Sequence, residues 1–230
     1  MLYLLDTANI EDIRHCVEYY PIAGVTTNPT IISKEKTDFW KLIREIREII
    51  GPDRMLHVQT TQTEAEKIVE EAQILKNELG GDFYIKIPIG EEGLRATMML
   101  KKLGIKVTMT AIFTEAQALI AAKAGASFVA PYVNRLDNIL GDGVEVVAET
   151  VKILKNYGLD CRVLAASFKN AEQVHKCSFF GCQSATVTSS IMKSLISHPM
   201  TDAAIRGFEK DWRKVYGTNN ILDMSKQKFD

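Results

Sequence analysis

Phe83-Tyr84-Ile85-Lys86-Ile87-Pro88 is a short apolar run with a lysine set inside it. Ile85, Ile87 and Ile89 follow two aromatics, and Pro88 and Gly90 close the run, which fits a strand buried on both faces. Strands of that kind belong to parallel sheets covered by helices. Lysine is seldom fully buried without a purpose. Desolvation disfavours the charged form of a lysine, and the neutral amine is the nucleophile of Schiff-base enzymes. A lysine at a strand end that reaches solvent or pairs with a carboxylate would look the same in this stretch alone, so the neighbouring segments decide.

Those segments repeat one scheme in both directions. Upstream, strands are expected at Leu2–Leu5, Ile22–Thr26 and Met55–Gln59. Helices follow over Ile10–Tyr20, with Asn9 as N-cap, and over Asp38–Ile50, with Phe39, Leu42, Ile43, Ile46, Ile49 and Ile50 on one stripe. A third helix carries Ile68, Val69, Ala72, Leu75 and Leu79 inward, with Thr63 and Glu66 spaced as a capping box. Downstream come strands at Lys106–Thr110, Ser127–Ala130, Arg162–Ala166 and Ser184–Thr188. They alternate with helices over Glu91–Leu103, Thr114–Lys123 (capping box Thr114/Gln117), Val144–Tyr157, from about Ala171, and up to about Ser197.

Eight strand–helix units of about 25 residues, with no linker between them, predict an α/β protein, a (β/α)8 TIM barrel. An open doubly wound sheet is the alternative, but no G-x-G-x-x-G follows the first strand. One helix is left over: residues 201–216, with Thr201 as N-cap and Ile205, Phe208, Trp212 and Tyr216 at spacings near four. The expected domain is 1–217, this additional C-terminal helix included, followed by a polar tail over 218–230 without regular structure. A helix beyond the closed barrel must bury its apolar stripe on its own barrel or on a neighbour's.

Bulk composition narrows the function classes. The 230 residues are 46% hydrophobic and 25% charged, with net charge −1. Such a balance argues against sequence-independent nucleic-acid binding or a membrane-surface role. No run of about 18 apolar residues is present, and Asp6 interrupts the N-terminal apolar stretch, so neither a transmembrane helix nor a signal peptide is expected. Cys16, Cys161, Cys177 and Cys182 show no metal-ligand spacing and read as reduced, packed thiols of a cytoplasmic protein. His15, His57, His175 and His198 are scattered, and each reads as structural or solvent-facing.

In a (β/α)8 barrel, chemistry sits at the C-terminal ends of the strands. Polar residues stand at or near that end in strand after strand: Asp6, Asn28, Gln59, Lys86, Thr110, Tyr132 with Arg135, and Ser167 with Lys169. One would be noise; seven strands converging on one lysine outline a site. Arg135, Lys169 and the Ser167 hydroxyl suit a phosphate, which is favoured for Arg135 over a surface ion pair with Asp137.

The segments LDTAN, GVTTNPT, YIKIP, VAPYVNR and AASFK resemble the small-subunit transaldolase family, which includes the fructose-6-phosphate aldolases. The likeness runs from the N-terminus through HPMTD to FEKDW near residue 212. It implies Lys86 at the Schiff-base position, with Asp6, Gln59, Thr110 and Tyr132 as its catalytic companions. It further implies Asn28 on the dihydroxyacetone hydroxyls and Arg135 and Ser167 on phosphate. Lys169 stands where related transaldolases have arginine. Transaldolases of this type are expected to carry glutamate at position 59 and phenylalanine at position 132. Gln59 and Tyr132 are the aldolase pair, which implies cleavage of fructose 6-phosphate to dihydroxyacetone and glyceraldehyde 3-phosphate. Transfer of a dihydroxyacetone unit, the transaldolase reaction of the pentose phosphate pathway, is the alternative. No cofactor and no metal are implied; sugar phosphates and dihydroxyacetone-type compounds are the implied substrates, and a homo-oligomer, pentamer or decamer, is the implied assembly.

Overall fold

The computed structural model describes residues 1–227. Strands β1 (Leu2–Asp6), β2 (Ile22–Thr26), β3 (Met55–Gln59), β4 (Phe83–Pro88), β5 (Lys106–Ile112), β6 (Phe128–Pro131), β7 (Arg162–Ala165) and β8 (Ser184–Val187) pair in parallel in sequence order. The ring closes where β8 returns to β1, with Leu2 opposite Ser184 and Leu5 opposite Val187. This is the expected (β/α)8 barrel.

Twelve helices are described: α1 (Ile10–Tyr19), α2 (Pro29–Lys34), α3 (Phe39–Ile50), α4 (Ala65–Leu79), α5 (Glu91–Lys102), α6 (Glu115–Ala124), α7 (Val133–Asp137), α8 (Gly143–Asn156), α9 (Ala171–Phe179), α10 (Ser189–Ile196), α11 (Pro199–Tyr216) and α12 (Ile221–Gln227). The amphipathic stripes of the helices that alternate with the strands bury as their spacing requires; on α3 the fully sheltered residues are Leu42, Ile43, Ile46 and Ile50. Asn9 and Asp38 cap their helices through side-chain oxygens, and Thr114 and Gln117 form the reciprocal box. Thr63 and Glu66 do not. The N–H of Ala65 at the start of α4 donates instead to Glu92 on α5 at 2.8 Å, and Glu66 turns to Arg95. A carboxylate from a neighbouring helix satisfies the terminus equally well and ties the two helices together.

The luminal face of each strand can be read from its packing. Leu4, Met55, Tyr84, Phe128, Ala130 and Leu164 form one buried cluster although they come from five strands around the ring. Only the barrel interior brings those strands together. The side-chain period of two then sends Asp6, Gln59, Lys86, Tyr132 and Ala166 into the same lumen, nearer the C-terminal mouth. Helices lie close behind the strands: a Cβ on Gly93 of α5 would stand 2.4 Å from the Pro88 carbonyl, so glycine is needed where that helix meets the end of the lysine strand.

Contacts within the chain divide it into two compact units, Met1–Met192 and Lys193–Asp230. The first contains the closed barrel. In the second, α11 starts at Pro199 with His198 as its cap, its Nδ1 accepting from Met200 N at 3.1 Å, rather than at a Thr201 cap. Trp212 Nε1 donates to the Asn219 carbonyl at 2.7 Å and lies 4.5 Å from the Tyr216 ring, fastening the turn into α12. That helix occupies residues 221–227, where the sequence suggests no regular structure; residues 228–230 of the tail lie outside the described residues. All four cysteines are free and buried. Among the described residues, no helix is long and apolar enough to cross a membrane.

Candidate active site

Lys86 stands on β4 at 3% exposure, sharing the luminal face with Tyr84 two residues below it. Among the described residues no carboxylate comes within ion-pair distance of it; the Nζ donates to the Thr27 carbonyl at 3.4 Å. The strand register places Gln59 beside Lys86 on one side and Thr108 on the other.

Two groups flank the lysine. On the β1–β2 side, Thr26 Oγ1 donates to Asp6 Oδ1 at 2.8 Å and lies 2.6 Å from Thr186 Oγ1. A hydroxyl has one proton, so Thr186 is the donor in the second bond, and the Asp6 carboxylate sits at the end of a threonine relay. On the β5–β6 side, Thr110 Oγ1 and the Tyr132 hydroxyl are 3.1 Å apart. A bulge prepares that contact. Ala111 takes φ of +56°, and the β5–β6 register slips between Met109 and Ile112. An alanine held in the left-handed region is uncommon and costs energy, and such strain concentrates at functional sites.

The residues proposed for phosphate lie on the β6 and β7 loops. Tyr132 opens the short helix α7, and the guanidinium of Arg135 lies 4.8 Å from the centre of the Tyr132 ring. Asp137 is not its partner, because that carboxylate accepts from Gly143 N at 2.9 Å and from Gln173 Nε2 at 2.6 Å. Ser167 has φ of +61°, and its carbonyl accepts from Asn134 N at 2.8 Å, which binds the two loops together. Lys169 is exposed, with its backbone N–H held by Gln173 Oε1 at 2.8 Å. Asn28 has a second task. Its Oδ1 accepts from Ile31 N at 3.0 Å as the cap of α2, which leaves the amide nitrogen for any ligand.

Several participants escape sequence reading. Thr26 and Thr186 are ordinary β-formers until ring closure brings β2 and β8 to Asp6. Gln173 fixes both phosphate-side loops from α9, and only its place three residues after the Asn170 cap hints at a structural duty. Deeper in the lumen, His57 stacks on Tyr84 with ring centres 4.5 Å apart, and its Nδ1 lies 2.9 Å from Thr108 Oγ1. Its Nε2 has no partner. Burial, then the nearby Lys86 and Arg162, push this imidazole well below the usual 6.5.

A groove of about 960 Å³ lies on the outer helices, with Glu145, Lys152 and Lys176 among its lining residues and Lys86 not among them. A smaller one of about 430 Å³ has Gln59 among its lining residues, together with Phe39 and Trp40.

The barrel thus buries one lysine without a carboxylate partner at its mouth, between an aspartate–threonine relay and a tyrosine–threonine pair. Residues 3–226 match the transaldolase/fructose-6-phosphate aldolase family, and the chain belongs to that family. It is therefore an enzyme of the aldolase/transaldolase type. Solved structures with the same fold are distant in sequence. A designed cube-shaped, highly porous protein cage built by fusing symmetric oligomeric domains has TM-score 0.59 and 14% identity, over 99% of this chain and 80% of that one. A mandelate oxidase Y128F mutant with a monooxide FMN adduct has TM-score 0.57 and 12% identity, over 83% of this chain and 64% of that one. The native KDPGal structure has TM-score 0.55 and 16% identity over 82% of each chain. This chain thus spans about two thirds of the mandelate oxidase length, and these likenesses concern the fold alone.

Proposed function

We propose that this protein is a lysine Schiff-base aldolase that cleaves and forms fructose 6-phosphate. The observation that carries the reading is Lys86, buried without a carboxylate partner on the same luminal face as the Tyr132–Thr110 pair. The Lys86 amine attacks the C2 ketone, and loss of water leaves an iminium. The C4 hydroxyl gives up its proton, and the C3–C4 bond breaks toward the iminium. The products of that step are the aldehyde of glyceraldehyde 3-phosphate and an enamine on Lys86. A proton delivered to C3, with Tyr132 as its donor and Thr110 holding the phenol, restores the iminium, and hydrolysis frees dihydroxyacetone. Asp6, held by Thr26, assists the proton transfers around the carbinolamine; Gln59, with Thr110, holds the water that Tyr132 uses, and the Asn28 amide orients the hydroxyls. Arg135, Ser167 and Lys169 take the phosphate.

The second reading, transaldolase, keeps every step up to the enamine and passes it to an acceptor aldehyde such as erythrose 4-phosphate. The family description covers both activities. The α11 helix buries none of its residues, with Phe208 73% exposed, and this supports a homo-oligomer, pentamer or decamer, built over that face.

Borohydride added with fructose 6-phosphate tests the central claim. A reduced adduct should form on Lys86 alone, and Lys86→Arg should form none, since a guanidinium stays protonated and cannot attack a carbonyl. A label on another lysine ends the proposal. Turnover with and without erythrose 4-phosphate then separates cleavage from transfer.

A further inference from the structure

Three side chains hold Tyr132. Thr110 meets its hydroxyl at 3.1 Å, Phe113 meets the ring edge-on with centres 5.5 Å apart, and the Arg135 guanidinium lies 4.8 Å from its centre. Arg135 is exposed and, among the described residues, forms no ion pair, because Asp137 is occupied by Gly143 and Gln173. The aromatic ring is thus the partner the structure records for this cation. A guanidinium packed against a ring keeps N–H groups free for an anion. The same group therefore answers to the ring and to whatever anion enters the β6–β7 loops.

We propose that Arg135 is a positioning residue that couples the phosphate subsite to proton transfer at Tyr132. This rests on the Schiff-base reading above. With the subsite empty, the cation holds the ring and so keeps the phenol against Thr110. A bound phosphate neutralises that cation and weakens its grip on the ring. While glyceraldehyde 3-phosphate is still in place, the enamine then waits and can re-form its carbon–carbon bond. Once the phosphate departs, Arg135 returns to the ring, and the enamine is protonated and released. Order of release is written into one contact.

A reaction that contains no phosphate isolates the effect. Dihydroxyacetone on Lys86 as the iminium loses a carbon-bound proton, its C–H electron pair forming the enamine. Reprotonation from D2O at the same carbon restores the iminium with deuterium in place. Proton NMR should show that Arg135→Ala lowers the maximal exchange rate about 2- to 5-fold, the worth of an exposed cation–π contact, with KM for dihydroxyacetone unchanged. Inorganic phosphate, at a concentration that competes with glyceraldehyde 3-phosphate, should slow wild-type exchange to the same level and leave Arg135→Ala unmoved. Wild-type rates in Arg135→Ala, or wild-type exchange indifferent to phosphate, would overturn the coupling while leaving the aldolase reading intact. Wild-type protein that exchanges nothing, or exchange that survives Lys86→Arg, would remove the Schiff base and the coupling with it.

Discussion

The two halves of the barrel lumen are built from the same strands and to opposite ends. The floor is filled by Leu4, Met55, Tyr84, Phe128 and Leu164, and its rings are packed edge and face: Tyr84 and Phe128 centres lie 5.3 Å apart, and His57 stacks on Tyr84. Two residues further along, the mouth carries Asp6 and Lys86, with Tyr132 just past the end of β6, four residues beyond Phe128. The backbone there is left-handed at Ala111 and Ser167, and no non-glycine residue of the floor shares that conformation. The floor gains stability from area removed from water. The mouth gives up some of that gain to hold polar groups in fixed positions. Rigid packing two residues below is what allows strained, polar groups to stay aimed.

Tyr132→Phe should break the mouth most sharply. Release of free dihydroxyacetone should fall by about 10²–10⁴-fold, the usual worth of a general acid–base group, while the borohydride adduct at Lys86 persists. Transfer to erythrose 4-phosphate should hold or rise relative to cleavage. If wild type transfers well and cleaves negligibly, the transaldolase reading replaces the aldolase one.

Phe128→Ala should break the floor instead. Loss of a fully buried ring costs about 3–5 kcal/mol of stability by urea unfolding. Turnover by the fraction that remains folded should be nearly unchanged at low temperature; a fall comparable to that of Tyr132→Phe would show that floor and mouth are not separable.

The smallest effect comes from His57, where the two halves meet. Its folded-state affinity for a proton is depressed by burial and by Lys86 and Arg162, so below about pH 6.5 the unfolded chain binds a proton that the folded chain refuses. Stability should therefore be level with respect to this group above that pH. It should fall by at most about 1.4 kcal/mol per pH unit as pH drops from 6.5 towards 5. His57→Phe keeps a ring against Tyr84 and removes the titration. Its unfolding free energy should show a shallower acid slope than wild type, and equal slopes would place the acid sensitivity elsewhere.

The floor was easier to read in the sequence than the mouth. Apolar runs mark all eight strands to within a few residues, and a glycine or proline stands shortly before each except β1, because burial and chain reversal leave local signatures. Lys86 was legible for the same reason: it interrupts an apolar run. The bulge at Ala111 was not, since alanine carries no preference for a left-handed backbone and only the β6 register reveals it. The Thr26–Thr186 bond joins residues 160 positions apart, so nothing near either one announces it. The Thr63/Glu66 spacing promised a local cap, but Glu92 from the next helix took the place. The short helices α2 and α7 are too brief to show a helical period. A ring of polar strand ends can be read in the sequence, whereas the bonds that orient those side chains depend on closure.

Closure has one more effect. Each of the eight strands is hydrogen-bonded on both sides, and β1 is flanked by β2 and β8 no less than β4 is by its neighbours. The barrel therefore offers no free edge on which a foreign strand could be added, and it needs no lysine or proline placed to deter one. The first strand of the chain cannot peel away without tearing two ladders at once. Its backbone amides are thereby sheltered from solvent exchange on the same footing as those of β4, a stave in the hoop like any other.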